Sequence, residues 1–182
     1  MSKALNVLCL GSAACKDADL KAAAALGIRP GPWTLVAVNH AAMLYPGPVD
    51  HWATFHCELM PRWITERKAC GLPDVDSYWT AERRPAPAGI SWSRAPNWGG
   101  SSGLLAVSVA LMLGAHKVVC CGIPLDVDQA HFDDPAGKPW REGGGYRRGW
   151  SEHKHEMGRV RSMSGWTADL LGRPDADWLA QP

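Results

Sequence analysis

Apolar residues fall in short, nearly continuous runs separated by Gly- and Pro-rich breaks. Asn6–Leu10, Trp33–Val38, His51–Phe55 and Lys117–Cys121 are such runs, and they predict strands buried on both faces. Between them lie three helical stretches. Asp17–Leu26 is rich in Ala and Leu and stops at Gly27, Pro61–Cys70 opens on a proline and stops at Gly71, and Leu104–Leu113 is apolar and stops at Gly114. Residues 71–98 carry Pro73, Pro85, Pro87 and Pro96 and read as an irregular connection, with short strands at Ser77–Thr80 and Gly89–Trp92. Residues 133–150, with Gly137, Gly143-Gly144-Gly145 and Gly149 beside Arg141, Arg147 and Arg148, read as a mobile loop. Arg159–Met163 reads as a last strand and Thr167–Leu171 as a terminal helix. Strands alternating with helices predict an α/β fold: a single-domain open doubly wound, Rossmann-like, mostly parallel sheet over residues 1–182 with helices on both faces. Such sheets bind ligands beyond the carboxyl ends of their strands.

Composition narrows the class. The chain has 182 residues, 46% of them hydrophobic and 20% charged, which is ordinary for a globular protein large enough to fold without a metal or disulfide staple. Its net charge of +1 lacks the basic excess of a nucleic-acid binder. No apolar stretch reaches the ~18 residues of a membrane span, and Met1–Leu5 lacks a signal-peptide cleavage site, so a cytoplasmic protein is expected. The six cysteines form no C-x-x-C, and Cys9, Cys120 and Cys121 sit in apolar runs, which predicts reduced, buried thiols.

The polar clusters fall at predicted strand ends. Gly11-Ser12-Ala13-Ala14 is either a tight strand-to-helix turn or a place where backbone N–H groups approach a phosphate. Gly99-Gly100-Ser101-Ser102-Gly103 opens an apolar helix and offers hydroxyls and amides as an anion cradle, or a helix cap. Asn39-His40 ends the second predicted strand, and His56 and Glu58 share one side if the third continues. Asp126, Asp128, His131, Asp133 and Asp134 cluster after the fifth, where they suit a hard cation or a base. His153 and His155 follow the Gly-rich basic loop, each a candidate base rather than a metal ligand.

The run Gly100–Ala115 followed by Lys117–Asp126 resembles the Ser-Gly helix and Gly-x-Asp strand block of bacterial sialyltransferase-like proteins and of the hydroxymethylpterin pyrophosphokinase-like family. Val7–Ser12 and Val36–Asn39 are similar to the opening of those proteins, and Met163–Thr167 is similar to segments of small phage and prophage proteins. The resemblance implies a nucleotide between the first loop and the Ser-Ser-Gly helix. Gly11, Ser12 and Asn39 would contact the nucleotide, Ser102 and Gly103 would hold phosphate or a donor carboxylate beside Gly100 and Ser101 of the cradle, and Tyr146 would help the phosphate leave. His131, His153 or His155 would be the base, and Asp126 is a further catalytic candidate.

Three readings stay open at this point. One is a transferase with a nucleotide-activated donor, most simply a glycosyltransferase with a nucleotide-sugar ligand and no tightly bound cofactor. The second is a phosphoryl or pyrophosphoryl transferase, with Mg²⁺ on Asp126 and its neighbours. The third is a non-catalytic phage accessory or morphogenesis protein in the host cytoplasm. Ten tryptophans stand against two phenylalanines. Trp33 and Trp52 are expected in the core, and Trp92, Trp98, Trp140 and Trp150 around the ligand cleft.

Overall fold

The computed structural model describes residues 4–127 and 143–181. Seven strands form one sheet: β1 (Asn6–Leu10), β2 (Thr34–Val38), β3 (Val49–Ala53), β4 (Val75–Ala81), β5 (Trp92–Ala95), β6 (Lys117–Cys121) and β7 (Val160–Ser162). Their order is β5-β4-β3-β2-β1-β6-β7, and every neighbouring pair is parallel. The expected Rossmann-like α/β arrangement is therefore the one observed.

The apolar runs are continuous because both faces of the sheet are covered. Val7, Cys9, Val36, Val38, Val118 and Cys120 pack on one face; Leu8, Leu10, Leu35, Ala37, Val119 and Cys121 pack on the other. The second face is covered by α1 (Lys16–Ala25), α2 (Asn39–Leu44) and α3 (Met60–Ala69), which carry the chain stepwise from β1 to β4. The first is covered by α4 (Ser102–Met112), which returns the chain from the β5 edge to the far side of β1. Every residue of α4 from Ser102 to Ala110 is buried, as expected of a helix apolar all round its circumference. After β6 come α5 (Gly143–Glu152), β7, α6 (Gly165–Leu171) and α7 (Ala176–Ala180). No described helix is long and apolar enough to cross a membrane. All six cysteines are free thiols, and Cys9, Cys57, Cys120 and Cys121 are buried.

The structure corrects several local expectations. Asn39 does not end a strand; it starts α2, with φ at +47°. Residues 143–150 are helix rather than loop, and residues 133–142 lie outside the described residues. Packing overrides the poor helix propensity of the glycines in α5. Trp150 is fully buried, and a Cβ on Gly149 would stand 3.1 Å from the Trp98 carbonyl oxygen. The short edge strand is Trp92–Ala95 rather than Gly89–Trp92, and α7 follows α6.

Arg67 of α3 is buried and ties three segments together. Its Nε donates to the Pro73 carbonyl at 2.7 Å, Nη1 to those of Ala42 and Tyr45 at 2.7 and 2.8 Å, and Nη2 to that of Gly47 at 2.9 Å. Arg67→Met keeps the stem and removes all four bonds. It should lower stability by at least about 3 kcal/mol, read from urea denaturation midpoints at constant m-value.

His51 of β3 places Nδ1 2.6 Å from Ser77 Oγ and 3.3 Å from the Trp79 indole nitrogen, which can only donate. Burial pushes its pKa below the usual imidazole value, against the opposing pull of Asp50 and Asp76. A depressed imidazole pKa means that the unfolded chain takes up the proton first. Stability is therefore full above the usual value and lost as pH falls through it toward the folded one. Between about pH 7 and about pH 5 the wild type should lose more stability than His51→Gln. Equal losses in urea melts at the two pH values would exclude His51 as the source.

Candidate functional site

Adjacent strands β1 and β6 send their chains in opposite directions, and this is the switch point where open α/β sheets bind ligands. The two strand ends touch there, backbone against backbone. The Gly11 amide donates to the Cys121 carbonyl at 2.8 Å, and the Ala13 amide to that of Gly122 at 3.2 Å. A Cβ on Gly11 would lie 2.2 Å from the Gly122 oxygen, and one on Gly122 would lie 2.6 Å from the Gly11 oxygen. Gly122 also has φ +66°, a region that L side chains rarely adopt.

Asp19 of α1 locks this junction from below. Its buried carboxylate accepts the Gly122 amide at 2.8 Å and the Ser164 hydroxyl at 2.7 Å. Burial pushes the neighbouring Cys15 thiol up to about 11, with Asp19 adding to the effect, so Cys15 stays protonated at neutral pH and is not a nucleophile.

A cavity of about 540 Å³ opens above the junction, within the range of small-molecule sites. One wall is the start of α4. Ser101 caps the helix: its Oγ accepts the Leu104 amide at 3.4 Å and the Trp150 indole N–H at 3.3 Å. A Cβ on Gly103 would meet Ile123 Cγ2 at 2.6 Å, so this glycine lets α4 settle against the β6 loop. The small residues are thus partly a packing requirement. They also bring the Ser102 and Gly103 amides, which have no acceptor within the helix, to the cavity wall, where the helix dipole favours an anion.

The opposite wall comes from the ends of β2, β3 and β4. Thr54 Oγ1 donates to Asn39 Oδ1 at 2.8 Å and accepts the His56 amide at 2.8 Å. Thr54 is fully buried and so joins the two cavity residues through one hydroxyl. His56 Nδ1 lies 3.5 Å from Glu58 Oε1. Arg84, from the turn after β4, and Phe55 complete this wall.

Gly11, Ser12, Asn39, Gly100, Ser101, Ser102, Gly103 and Tyr146, the eight expected ligand contacts, all line this one cavity. Asp126 lines it too, its Oδ1 accepting the Trp166 amide at 2.9 Å at the start of α6. His153 is not among the lining residues. Its ring stacks on Trp98 at 4.8 Å with an 11° tilt, and its Nδ1 is 3.0 Å from Glu156. His155 is likewise elsewhere, its Nδ1 beside the Glu152 carbonyl. His131, Asp128, Asp133 and Asp134 lie outside the described residues. Among the described residues no three His, Cys, Asp or Glu side chains are grouped to hold a metal.

The tryptophans are also redistributed. Trp33 and Trp52 are core residues as expected, but none of the nine described tryptophans lines the cavity, and Trp140 is outside the described residues. Trp150 supports Ser101 from within the core, and Trp92 packs on Tyr78. The aromatic lining is Phe55 and Tyr146. Arg84 and Asn97 carry no sequence signal, because they lie in the irregular Pro-rich stretch whose path no periodicity reveals.

No family model, no curated protein and no solved structure matches the chain. The fold and the cavity together define an open parallel α/β protein with a candidate ligand cleft at its switch point.

The glycine contact yields a direct comparison. Gly27 has φ +79° and open space around a Cβ, so Gly27→Ala should cost only the ~1–2 kcal/mol of the left-handed backbone. Gly122→Ala should cost that amount plus about 1–3 kcal/mol for the clash with Gly11. Equal midpoint shifts in denaturant would show that the two strand ends are not in contact.

Proposed function

We propose that the chain is a transferase that binds a nucleotide-activated donor in the switch-point cleft, most simply a glycosyltransferase. One observation carries this reading. A single cavity unites the loop after β1, Asn39 after β2 and the α4 N-terminus, the three places where the resemblance to sialyltransferase-like proteins sets nucleotide and phosphate. The nucleoside would lie along Gly11, Ser12 and Asn39, with its phosphate at the first-turn amides of Ser102 and Gly103. Those amides and the helix dipole stabilise the charge that grows on the phosphate as it departs. Tyr146, on the same side, offers a phenol to that phosphate. The acceptor oxygen forms a bond to the transferred carbon, the carbon–oxygen bond to the phosphate breaks, and the phosphate leaves with the electron pair.

The test is thermal unfolding against a panel of nucleoside mono- and diphosphates and sugar nucleotides, with and without Mg²⁺. A true ligand at about 100 times its Kd adds about 2.7 kcal/mol of stability. Asn39→Gly keeps the left-handed backbone and removes the amide, so it should fold and bind the selected nucleotide at least about tenfold more weakly. No response to any nucleotide would reject the transferase reading. A response that requires Mg²⁺ would move it to phosphoryl transfer.

A further inference from the structure

The cleft is longer than one anion site. Its lining runs from the loop after β6 to the turn after β4, four strand spacings apart in the sheet order, or roughly 19 Å. The two ends differ in chemistry. The β1–β6 end holds backbone, small residues, Ile123 to Leu125 and Asp126, the one carboxylate among the described lining residues; the far end holds Phe55, His56, Arg84 and Asn97, and so a guanidinium and an imidazole.

The far end is also built from fixed backbone. Arg83 has φ +59°, the Arg84 amide donates to the Ala81 carbonyl at 3.2 Å, and Arg94 Nη1 holds the carbonyls of Arg84 and Ala81 at 2.5 and 3.2 Å. Arg94 of β5 thus fixes the turn that presents Arg84. On the neighbouring strand, Thr54 fixes the His56 backbone to Asn39. Glu58 Oε1 stands 3.5 Å from His56 Nδ1, a carboxylate position that favours the tautomer with its proton on Nδ1 and its lone pair on Nε2.

We infer that the far half of the cleft is the site of a second substrate, a hydroxylated molecule carrying a carboxylate or phosphate, with Arg84 pairing with that anion and His56 acting as catalytic base. A guanidinium suits either anion, since both present two oxygens to its fork. His56 Nε2 takes the proton of the attacking hydroxyl, whose oxygen forms the new bond to the donor carbon as the nucleotide phosphate leaves with its electron pair. This assignment rests on the transferase reading for its chemistry, while the anion site is measurable without it.

Calorimetric titrations with glucose 6-phosphate, glucuronate and neutral glucose, each with and without the nucleotide selected by the panel, test the anion site. Both charged sugars should bind at least about tenfold more tightly than glucose, and the tighter of the two names the anion. Arg84→Ala should weaken the charged sugars at least about tenfold and leave nucleotide affinity within about twofold. Glucose binding as well as the charged sugars, or nucleotide affinity falling as far as theirs in Arg84→Ala, would overturn the assignment. Charged sugars bound with no nucleotide bound would reject the transferase reading and keep the anion site; nucleotide bound with no charged sugar would do the reverse. With the selected sugar nucleotide as donor, His56→Ala should slow transfer by about 10²–10⁴-fold while charged-sugar affinity stays within about twofold. Transfer intact in His56→Ala and lost in His131→Ala would place the base elsewhere.

Discussion

The backbone contact between Gly11 and Gly122 is the constraint on which the cleft depends. A parallel sheet that reverses its winding must part its chains at two adjacent strand ends, and the space between them becomes the ligand site. Here the parting happens with the carbonyl of each glycine where the other's side chain would be. Asp19 and Ser164 hold the contact from beneath, so α1, the β6 loop and the segment before α6 meet at one buried carboxylate. The lower lip of the cavity is therefore set by residues with no access to a ligand.

The same economy of space governs the wall above. Gly103 lies against Ile123, and Ser101 is occupied by its own helix and by Trp150. A Gly-Ser-Ser-Gly sequence invites reading as an anion cradle, yet its first duty is to let a wholly apolar helix run beneath the sheet and stop at the strand ends. What it leaves for chemistry is the amides of the first turn. The side-chain chemistry of the cleft comes from elsewhere: Asn39, His56 and Arg84 at the ends of three successive strands.

Much of this architecture could be read from residue order. Apolar runs such as Val7–Leu10 and Val118–Cys121 have one explanation, burial on both faces, and a parallel sheet follows from it. The loops at the ends of those runs then fall on one edge, which is why Gly11, Asn39 and Ser102 converge. Three features were hidden. The three leading glycines of α5 look like loop, and the helix is held by contacts that sequence does not show: the burial of Trp150, the close approach of Gly149 to Trp98 and the bonds from Arg147 to the Leu125 carbonyl. Histidines are placed by tertiary structure alone, so His153, close in sequence to the basic segment, stacks on Trp98 while His56 faces the cavity. Tryptophan count signalled ligand stacking, but the indoles replace the missing phenylalanines in the core, as Trp52 against Trp63 at 6.1 Å shows.

The burial of α4 divides the cleft mechanically. A helix enclosed from Ser102 to Ala110 is part of the core, so the wall it forms shifts only if the core shifts. The facing turn, Glu82 to Pro85, is exposed and is held by the Glu82 and Arg84 amides, which donate to the Ala95 and Ala81 carbonyls, and by the Arg94 side chain on the carbonyls of Ala81 and Arg84. One jaw of the cleft is an anvil set in the core, and the other is a surface turn clamped by a single arginine. Whatever ordering a ligand imposes falls on the exposed side chains of that turn, which makes the β4–β5 turn the place where binding strength is tuned while the anvil keeps its shape.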